Sequence, residues 1–586
     1  FTIGGEGMFC DSAWKGMGWY RFCEESTAMP VNNFPVYIGS GRCILSLDAT
    51  GMQGFNNRVQ DMYGGVPHAA DMYVVGHAML ARGINRFFDS QYWGEDINTL
   101  PFGWLDYMIT IDGELYDTAA IQNCGAMFRR DFNILRAEVT TSYILDSKIE
   151  LEIRAFVPYG TMAPVFAFRA RSYRNERYRA DDEHAVKIET RLHTTVRDGK
   201  ALFDDVSFDG TLLHTRKEGY KTYELQYRLT NSQGNAVRYA DNCAAMELSF
   251  TTENDWSAWQ YAMFSFDAAN EVSETEALYE QHTGEWKGYF SRLAQIDTGI
   301  VEEEYLYNHS LYLYHMAYCM EYSIPIGHPF NFPGCWQASS FWDTVYAMDA
   351  LTRVGDRESA DRLLHFYRSV MWDGGKPFPW MMIYDGNTFL DPKKDNAPLV
   401  IAAIAMMAVR HYECYHDAEL LKSHVYPIVK RCAEYAVESM FVQDDNGRWY
   451  VSMPVSNDVV EEEGEEVNQT FTTLWFAVVL AKAYEYGELL SDAHEAFGEI
   501  SRNVYLEHTE EGYLHCRGYK AEEWKWASWL PFLLYPTEGM PFLDEDLVKK
   551  TLDTYTYTTL YMEKQNCWQP WTECIEAQSR SRAGMV

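Results

Sequence analysis

Hydrophobic and polar positions follow two different periods along this chain. Up to about residue 270 the recurring period is two. Residues 104–111 alternate ahead of Asp112-Gly113, and 148–156, 165–170 and 223–229 are similar aromatic- or β-branched-rich runs. Asp-Gly between apolar runs predicts a tight hairpin, because both turn residues take positive φ. Many such strands without intervening helices predict a large β-sandwich.

Beyond about residue 270 the period becomes helical. Residues 274–294 predict a linker helix, and 302–322 continue with few breakers. Further helices are predicted at about 340–354, 357–372, 396–413, 416–440, 469–489, 491–504, 522–534, 544–562 and 570–583. The loops between them are rich in Gly, Pro and aromatic residues. That pattern suggests antiparallel helix pairs closed into a toroid, since a plain bundle has no need of such loops. No short solenoid repeat is present. The predicted division is a β-sandwich at 1–270, a helical linker at 271–300 and an (α/α) barrel at 301–586.

Composition narrows the function. The 586 residues exceed one ordinary core, and 47% hydrophobic with 15% aromatic content suits a large folded protein. No run approaches twenty uninterrupted apolar residues, so no membrane span is expected. A net charge of -36 argues against nucleic acid as partner and disfavours an acidic polysaccharide. A neutral substrate fits best, and the charge also serves solubility. The twelve cysteines form no CxxC and no zinc-spaced cluster with His, so neither a metal nor an organic cofactor is implied. They read as reduced core residues of a cytoplasmic protein. The chain starts at Phe1 without Met, and a signal peptide stays open.

Three segments carry candidate chemistry. Phe341-Trp342-Asp343-Thr344 opens a predicted helix. An aromatic face stacks on a pyranose and a neighbouring carboxylate takes its hydroxyls. The plainer alternative is a core Trp beside an Asp favoured by the helix dipole. The preceding run 328–337, which contains Trp336, is too irregular for core and too aromatic for an ordinary surface loop. Gly374 to Trp380 forms a Gly- and Pro-rich loop, where Trp380 either stacks on sugar or plugs a barrel end. The third segment is Glu461-Glu462-Glu463; on its own such a run is usually a solvated loop or face.

Taken in order, these elements resemble glycoside hydrolase family 65, the maltose, trehalose and kojibiose phosphorylase group. Phe341 to Thr344 matches that family's F-W-D-T, and Pro377-Phe378-Pro379-Trp380 resembles its R-Y-P-W. Residues 400–412 resemble a following D-I-A-Y-A-like helix, and 104–117 a W-x-x-x-x-x-x-x-D-G-E element of the sandwich. The resemblance spans nearly the whole chain. It implies an N-terminal β super-sandwich, a helical linker and an (α/α)6 barrel, and by analogy a homodimer.

Two departures shape the implied chemistry. The family's general acid lies in G-P-D-E-Y-H, shortly before N-N-A-Y-T-N. Here Met453 to Asp458 and Glu461 to Glu466 precede Asn468-Gln469-Thr470-Phe471-Thr472. Counting back from Asn468 puts Glu461 at the acid's position, with Glu462 or Glu463 as alternatives. The family's phosphorylases hold phosphate with a Ser-Ser pair near a proline before the last barrel helix. The comparable Asn566-Cys567-Trp568-Gln569-Pro570 lacks those hydroxyls, and Glu573 and Glu576 follow on one helical face. A carboxylate there repels phosphate and activates water, so Glu573 is the preferred base and Glu576 the second; the plainer reading is a Glu favoured by the helix dipole. The expectation is an inverting glycoside hydrolase for neutral α-linked gluco-oligosaccharides or disaccharides. Its two carboxyl groups would stand roughly 6.5–9.5 Å apart. Phe341, Trp342, Asp343, Trp336 and Trp380 would hold the sugar. The alternatives are an inverting disaccharide phosphorylase, a non-catalytic sugar-binding protein, and a polysaccharide lyase, which the acidity disfavours.

Overall fold

The computed structural model describes residues 13–18, 20–30, 36–54, 72–74, 80–82, 97–99, 103–174, 182–195, 201–218, 222–266, 275–317, 339–379, 381–382, 398–452, 468–517, 533–535, 538–554 and 570–585. Contacts divide the chain into two compact units, 1–338 and 339–586.

The first unit is built on antiparallel sheets. Ten strands run in the order Ala13–Gly18, Arg21–Ala28, Gly125–Asn133, Glu138–Leu145, Ile149–Phe156, Val165–Ser172, Gln260–Ser265, Thr222–Asn231, Leu212–Glu218, Asp205–Phe208. A second sheet of five runs Arg238–Ala240, Cys243–Thr251, Ala185–His193, Trp104–Ile111, Glu114–Tyr116. The predicted alternation explains the core. In Ile149–Phe156 the side chains of Ile149, Leu151 and Ile153 are fully buried, while the residues between them reach the surface. The two sheets meet face to face at Tyr107, whose hydroxyl lies 2.6 Å from that of Tyr143 and whose ring lies 5.6 Å from Phe168. The predicted hairpin is present: Ile111 pairs with Glu114 across Asp112 at φ 53° and Gly113 at φ 89°. Within the large sheet, Arg130 and Glu24 form a fully buried ion pair at 2.9 Å across adjacent strands.

Three helices accompany these sheets: α1 (Thr118–Cys124), α2 (Thr275–Arg292) and α3 (Val301–Ala317). α2 sets Tyr279 and His282 against Phe156, with ring centroids 5.3 and 5.0 Å away. α3 sets His309 and Tyr312 against Phe132 at 6.0 and 5.2 Å. Contacts therefore count both helices with the sheets. The division at residues 270 and 300 follows the change of period instead.

The second unit is helical: α4 (Phe341–Val354), α5 (Arg357–Val370), α6 (Pro398–Tyr415), α7 (Ala418–Leu420), α8 (Tyr426–Ser439), α9 (Thr470–Leu490), α10 (Glu495–Arg502), α11 (Glu545–Thr554) and α12 (Pro570–Arg582). These bounds fall close to the predicted ones. Most of the predicted helix 522–534, and the end of 544–562, lie outside the described residues. The predicted helix 416–440 is broken by a π-helical turn, Leu421–Val425, in which the Tyr426 N–H reaches back to the Leu421 carbonyl. Pro427 has no N–H to give the preceding turn, so the regular ladder cannot run through.

Burial sorts these helices into two kinds. α6 is buried all round from Pro398 to His411, and α9 from Thr470 to Leu480. α4 is nearly so, with Val345, Ala347, Met348 and Leu351 enclosed. α5, α8 and α10 each bury one face only. The fully buried helices are neighbours, α6 touching both α4 and α9, and a one-sided helix follows each in sequence. Each fully buried Leu, Val or Phe here contributes roughly 1.5–3 kcal/mol.

Candidate active site

The start of α4 and the Pro-rich loop are joined by a short ladder. Ser339 pairs with Met382 and Ser340 with Met381, antiparallel. The next residue on one strand is Phe341, which opens α4; on the other it is Trp380. The sugar-binding expectations on F-W-D-T and on Trp380 thus fall at adjacent points of the chain path. Phe341, Trp342 and Asp343 occupy the first turn of α4, and their side chains lie outside the description. Trp336 and Trp380 lie outside the described residues.

The loop before Trp380 is fixed from behind. Trp372 donates its N–H to the Pro377 carbonyl at 2.9 Å. Arg431, buried on α8, donates to the carbonyl oxygens of Trp372 (3.3 Å) and Gly375. Gly375 takes φ 66°, open to glycine at little cost. Phe378 is buried against Tyr367 of α5. A charged guanidinium satisfying loop carbonyls holds the turn without any side-chain partner in the loop.

The acidic cluster belongs to a segment whose two ends are clamped together. Glu461 and Glu462, with Glu463, lie outside the described residues. At the base, the Asn468 N–H donates to the Val451 carbonyl at 2.8 Å, and the Ser452 N–H to Met440 at 3.0 Å. Asn468 is fully buried in the left-handed region at φ 53°. Its amide donates to Glu507 (2.8 Å) and to the Tyr505 carbonyl (3.2 Å), and its oxygen accepts from Thr473 at 2.9 Å. Gln469 accepts from Thr472 at 2.6 Å. Asn tolerates this conformation better than most residues, and here its side chain closes the N-terminus of α9.

α12 carries both candidate bases. Glu573 is in its second turn, with its side chain outside the description. Glu576 is buried and accepts from Arg580 at 2.9 Å; Arg580 also donates to the Leu552 carbonyl. Glu576 is therefore held in an ion pair within the helix layer.

Sequence reasoning missed a polar network at the far halves of these helices. Asp349 accepts from Arg353 at 2.9 Å and from the Tyr535 hydroxyl at 3.0 Å, and lies 3.5 Å from Arg410. Arg410 donates to Glu538 at 3.0 Å, and Arg582 lies 3.5 Å from the same carboxylate. Burial and the nearby Arg410 lower the Arg582 guanidinium from its ordinary range. On the adjoining face, buried His411 of α6 bridges Thr352 of α4 (3.0 Å) and Asp361 of α5 (2.5 Å). Burial works to raise the Asp361 carboxyl, but the His411 hydrogen bond and the charges of His411 and Arg357 outweigh it and hold it down. Asp349 meets Arg410, whereas Thr352 meets His411 and, through its carbonyl, Tyr415. The pairings advance together, so α4 and α6 run parallel. The sequence signals for this network are the i,i+4 pairs Asp349/Arg353 and Arg357/Asp361; the partners that join them are distant along the chain.

Among the described residues no group of three or more His, Cys, Asp or Glu is arranged to hold a metal ion, and no helix is long and apolar enough to cross a membrane.

No family model matches the chain, and no curated protein sequence matches it. Solved structures do. A "putative kojibiose phosphorylase from human microbiome" superposes with a TM-score of 0.65 at 11% identity, covering 94% of this chain and 81% of that one. A bacterial glucoamylase complexed with acarbose follows at a TM-score of 0.47 and 12% identity, covering 88% of this chain and 72% of that one. The first of these likenesses extends over sheets and helices alike. In fold, the chain resembles the glycoside hydrolase family 65 phosphorylases, as its sequence elements implied.

Proposed function

We propose that this chain is an inverting glycoside hydrolase acting on neutral α-linked gluco-oligosaccharides or disaccharides. The observation that carries the reading is the Ser339–Ser340/Met381–Met382 ladder, which brings the F-W-D-T helix start and the Pro-rich loop to one place. In this reading the fully buried helices α4, α6 and α9 line an (α/α)6 barrel, and the one-sided helices form its outer layer. The parallel course of α4 and α6 supports that arrangement, with F-W-D-T at one rim and the Asp349–Arg410 network nearer the other. Sandwich at 1–270, linker at 271–300 and barrel at 301–586 remain the proposed domains.

Trp342 and Asp343 hold the non-reducing sugar, with Phe341, Trp336 and Trp380 completing the aromatic wall. Glu461, or Glu462 beside it, protonates the leaving oxygen. The backbone pairing of Asn468 with Val451 closes the base from which that segment leaves. Glu573 takes the proton from water. It is preferred over Glu576 because Glu576 is buried and already engaged by Arg580. No cofactor enters the mechanism. The test is a panel of α-linked glucosides with and without inorganic phosphate: turnover independent of phosphate supports hydrolysis.

Phosphorolysis is the second reading, favoured by one observation. The structure with a TM-score of 0.65 bears the name "putative kojibiose phosphorylase from human microbiome". Turnover that stops in phosphate-free buffer would establish it.

A further inference from the structure

Two histidines outside the proposed sugar site face each other across the second unit's surface. His365 is exposed on α5, and His424 stands half-buried in the π-helical turn Leu421–Val425. Nδ1 of His365 lies 2.5 Å from Nε2 of His424, with the rings edge to face at 89° and centroids 4.1 Å apart.

The neighbouring hydroxyl fixes one tautomer. Ser423 has a single O–H proton, and it donates to the Glu419 carbonyl at 2.6 Å. Its oxygen, 2.8 Å from Nδ1 of His424, is left to accept, so Nδ1 of His424 carries the proton. The bare lone pair of His424 Nε2 therefore points at His365. Outer hydrogen bonds of this kind orient metal-binding imidazoles. The helix α7 that leads into the turn is also held in place: Asp417, its N-terminal cap, accepts from Glu419 and Leu420 backbone N–H groups and binds Arg357 of α5 at 2.5 Å. π-Helical turns recur at functional sites because they redirect a side chain without ending the helix.

We propose that His365 and His424 form a two-point site for a divalent transition-metal ion of the imidazole-binding class, zinc or copper, with water completing its coordination. In the free protein one hydrogen sits between the two nitrogens. On binding, His365 changes tautomer: the hydrogen leaves Nδ1 and one is taken up on Nε2, so the neutral pair loses no net proton. Both lone pairs then converge on the ion, and the nitrogens separate to roughly 3 Å, as bonds of about 2.0–2.1 Å to one centre require. Asp361 on α5 adds a favourable charge and Arg368 an opposing one. Burial, with His365 and Arg368, lowers the His424 imidazole against the opposing pull of Asp361, which keeps it neutral and ligand-competent at neutral pH. The bound ion ties α5 to the turn that leads into α8.

The test is calorimetric titration of chelator-treated protein with Zn²⁺, paired with Cu²⁺ electron paramagnetic resonance. One saturable equivalent with nitrogen hyperfine structure is expected. His365→Ala and His424→Ala should each weaken it at least about tenfold, and Ser423→Ala less, by loss of the tautomer lock. Circular dichroism checks that the variants fold; both sites are at the surface. Absence of saturable Zn²⁺ or Cu²⁺ binding, or affinity unchanged in both histidine variants, would overturn the proposal.

Discussion

His282 and His309 sit among aromatic rings between α2, α3 and the large sheet, and burial lowers each imidazole to about 4. The unfolded chain binds protons at an ordinary value of about 6.5, so between those values it holds more protons than the fold. Stability from these residues is fully present above about pH 6.5 and lost as pH falls towards 4. Each contributes on the order of 3 kcal/mol. Thermal unfolding should show the first unit weakening steeply across that window, and His309→Phe should flatten the profile; an unchanged profile would remove His309 from this role. At the proposed site, Glu461→Gln and Glu573→Gln are each expected to lower kcat by about 10²–10⁴, while Glu576→Gln acts mainly on stability. Full activity in either of the first two takes away its assigned role. Candidates of this kind can be named from the sequence where the chemistry is local, as in Phe341-Trp342-Asp343. Arg431 and Asn468 were not, because their partners Trp372, Gly375, Tyr505 and Glu507 are remote in sequence.

Elements followed the hydrophobic pattern closely where one period dominates. The strand Trp104–Ile111 and its Asp112-Gly113 hairpin, α4, α5 and α9 all fall within a residue or two of the expected bounds. The pattern failed at the π-helical turn, since one proline two residues beyond it changes the hydrogen bonding without changing which residues are apolar. It also gave no sign of the ladder at Ser339–Ser340, whose two-residue strands are too short to show a period. Asn468 is the clearest test at this scale. Asn468→Ala leaves Glu507 and Thr473 without that partner and replaces a residue that tolerates positive φ with one that tolerates it less. It should cost about 2–3 kcal/mol, read as a lower melting temperature. Because the same residue clamps the acidic segment, kcat should fall more than in a stability-matched core variant. A loss of stability alone would show that the clamp does not serve the segment.

The charge of -36 favours a neutral ligand, and the antiparallel sheets with a helical unit answer to the two periods of the chain. What the whole molecule adds is which helices neighbour one another: α6 and α9, apolar on every side, are enclosed and in contact, while α5, α8 and α10 bury one face each. The choice between water and phosphate rests on the absence of hydroxyls at Asn566-Cys567-Trp568-Gln569-Pro570, with Glu573 following. The most direct measurement is proton NMR of the sugar released from α-linked glucosides, run with and without inorganic phosphate. The account predicts β-glucose as the first-formed anomer at a rate that phosphate does not change. First-formed α-glucose, or release of a sugar phosphate only when phosphate is supplied, would contradict it.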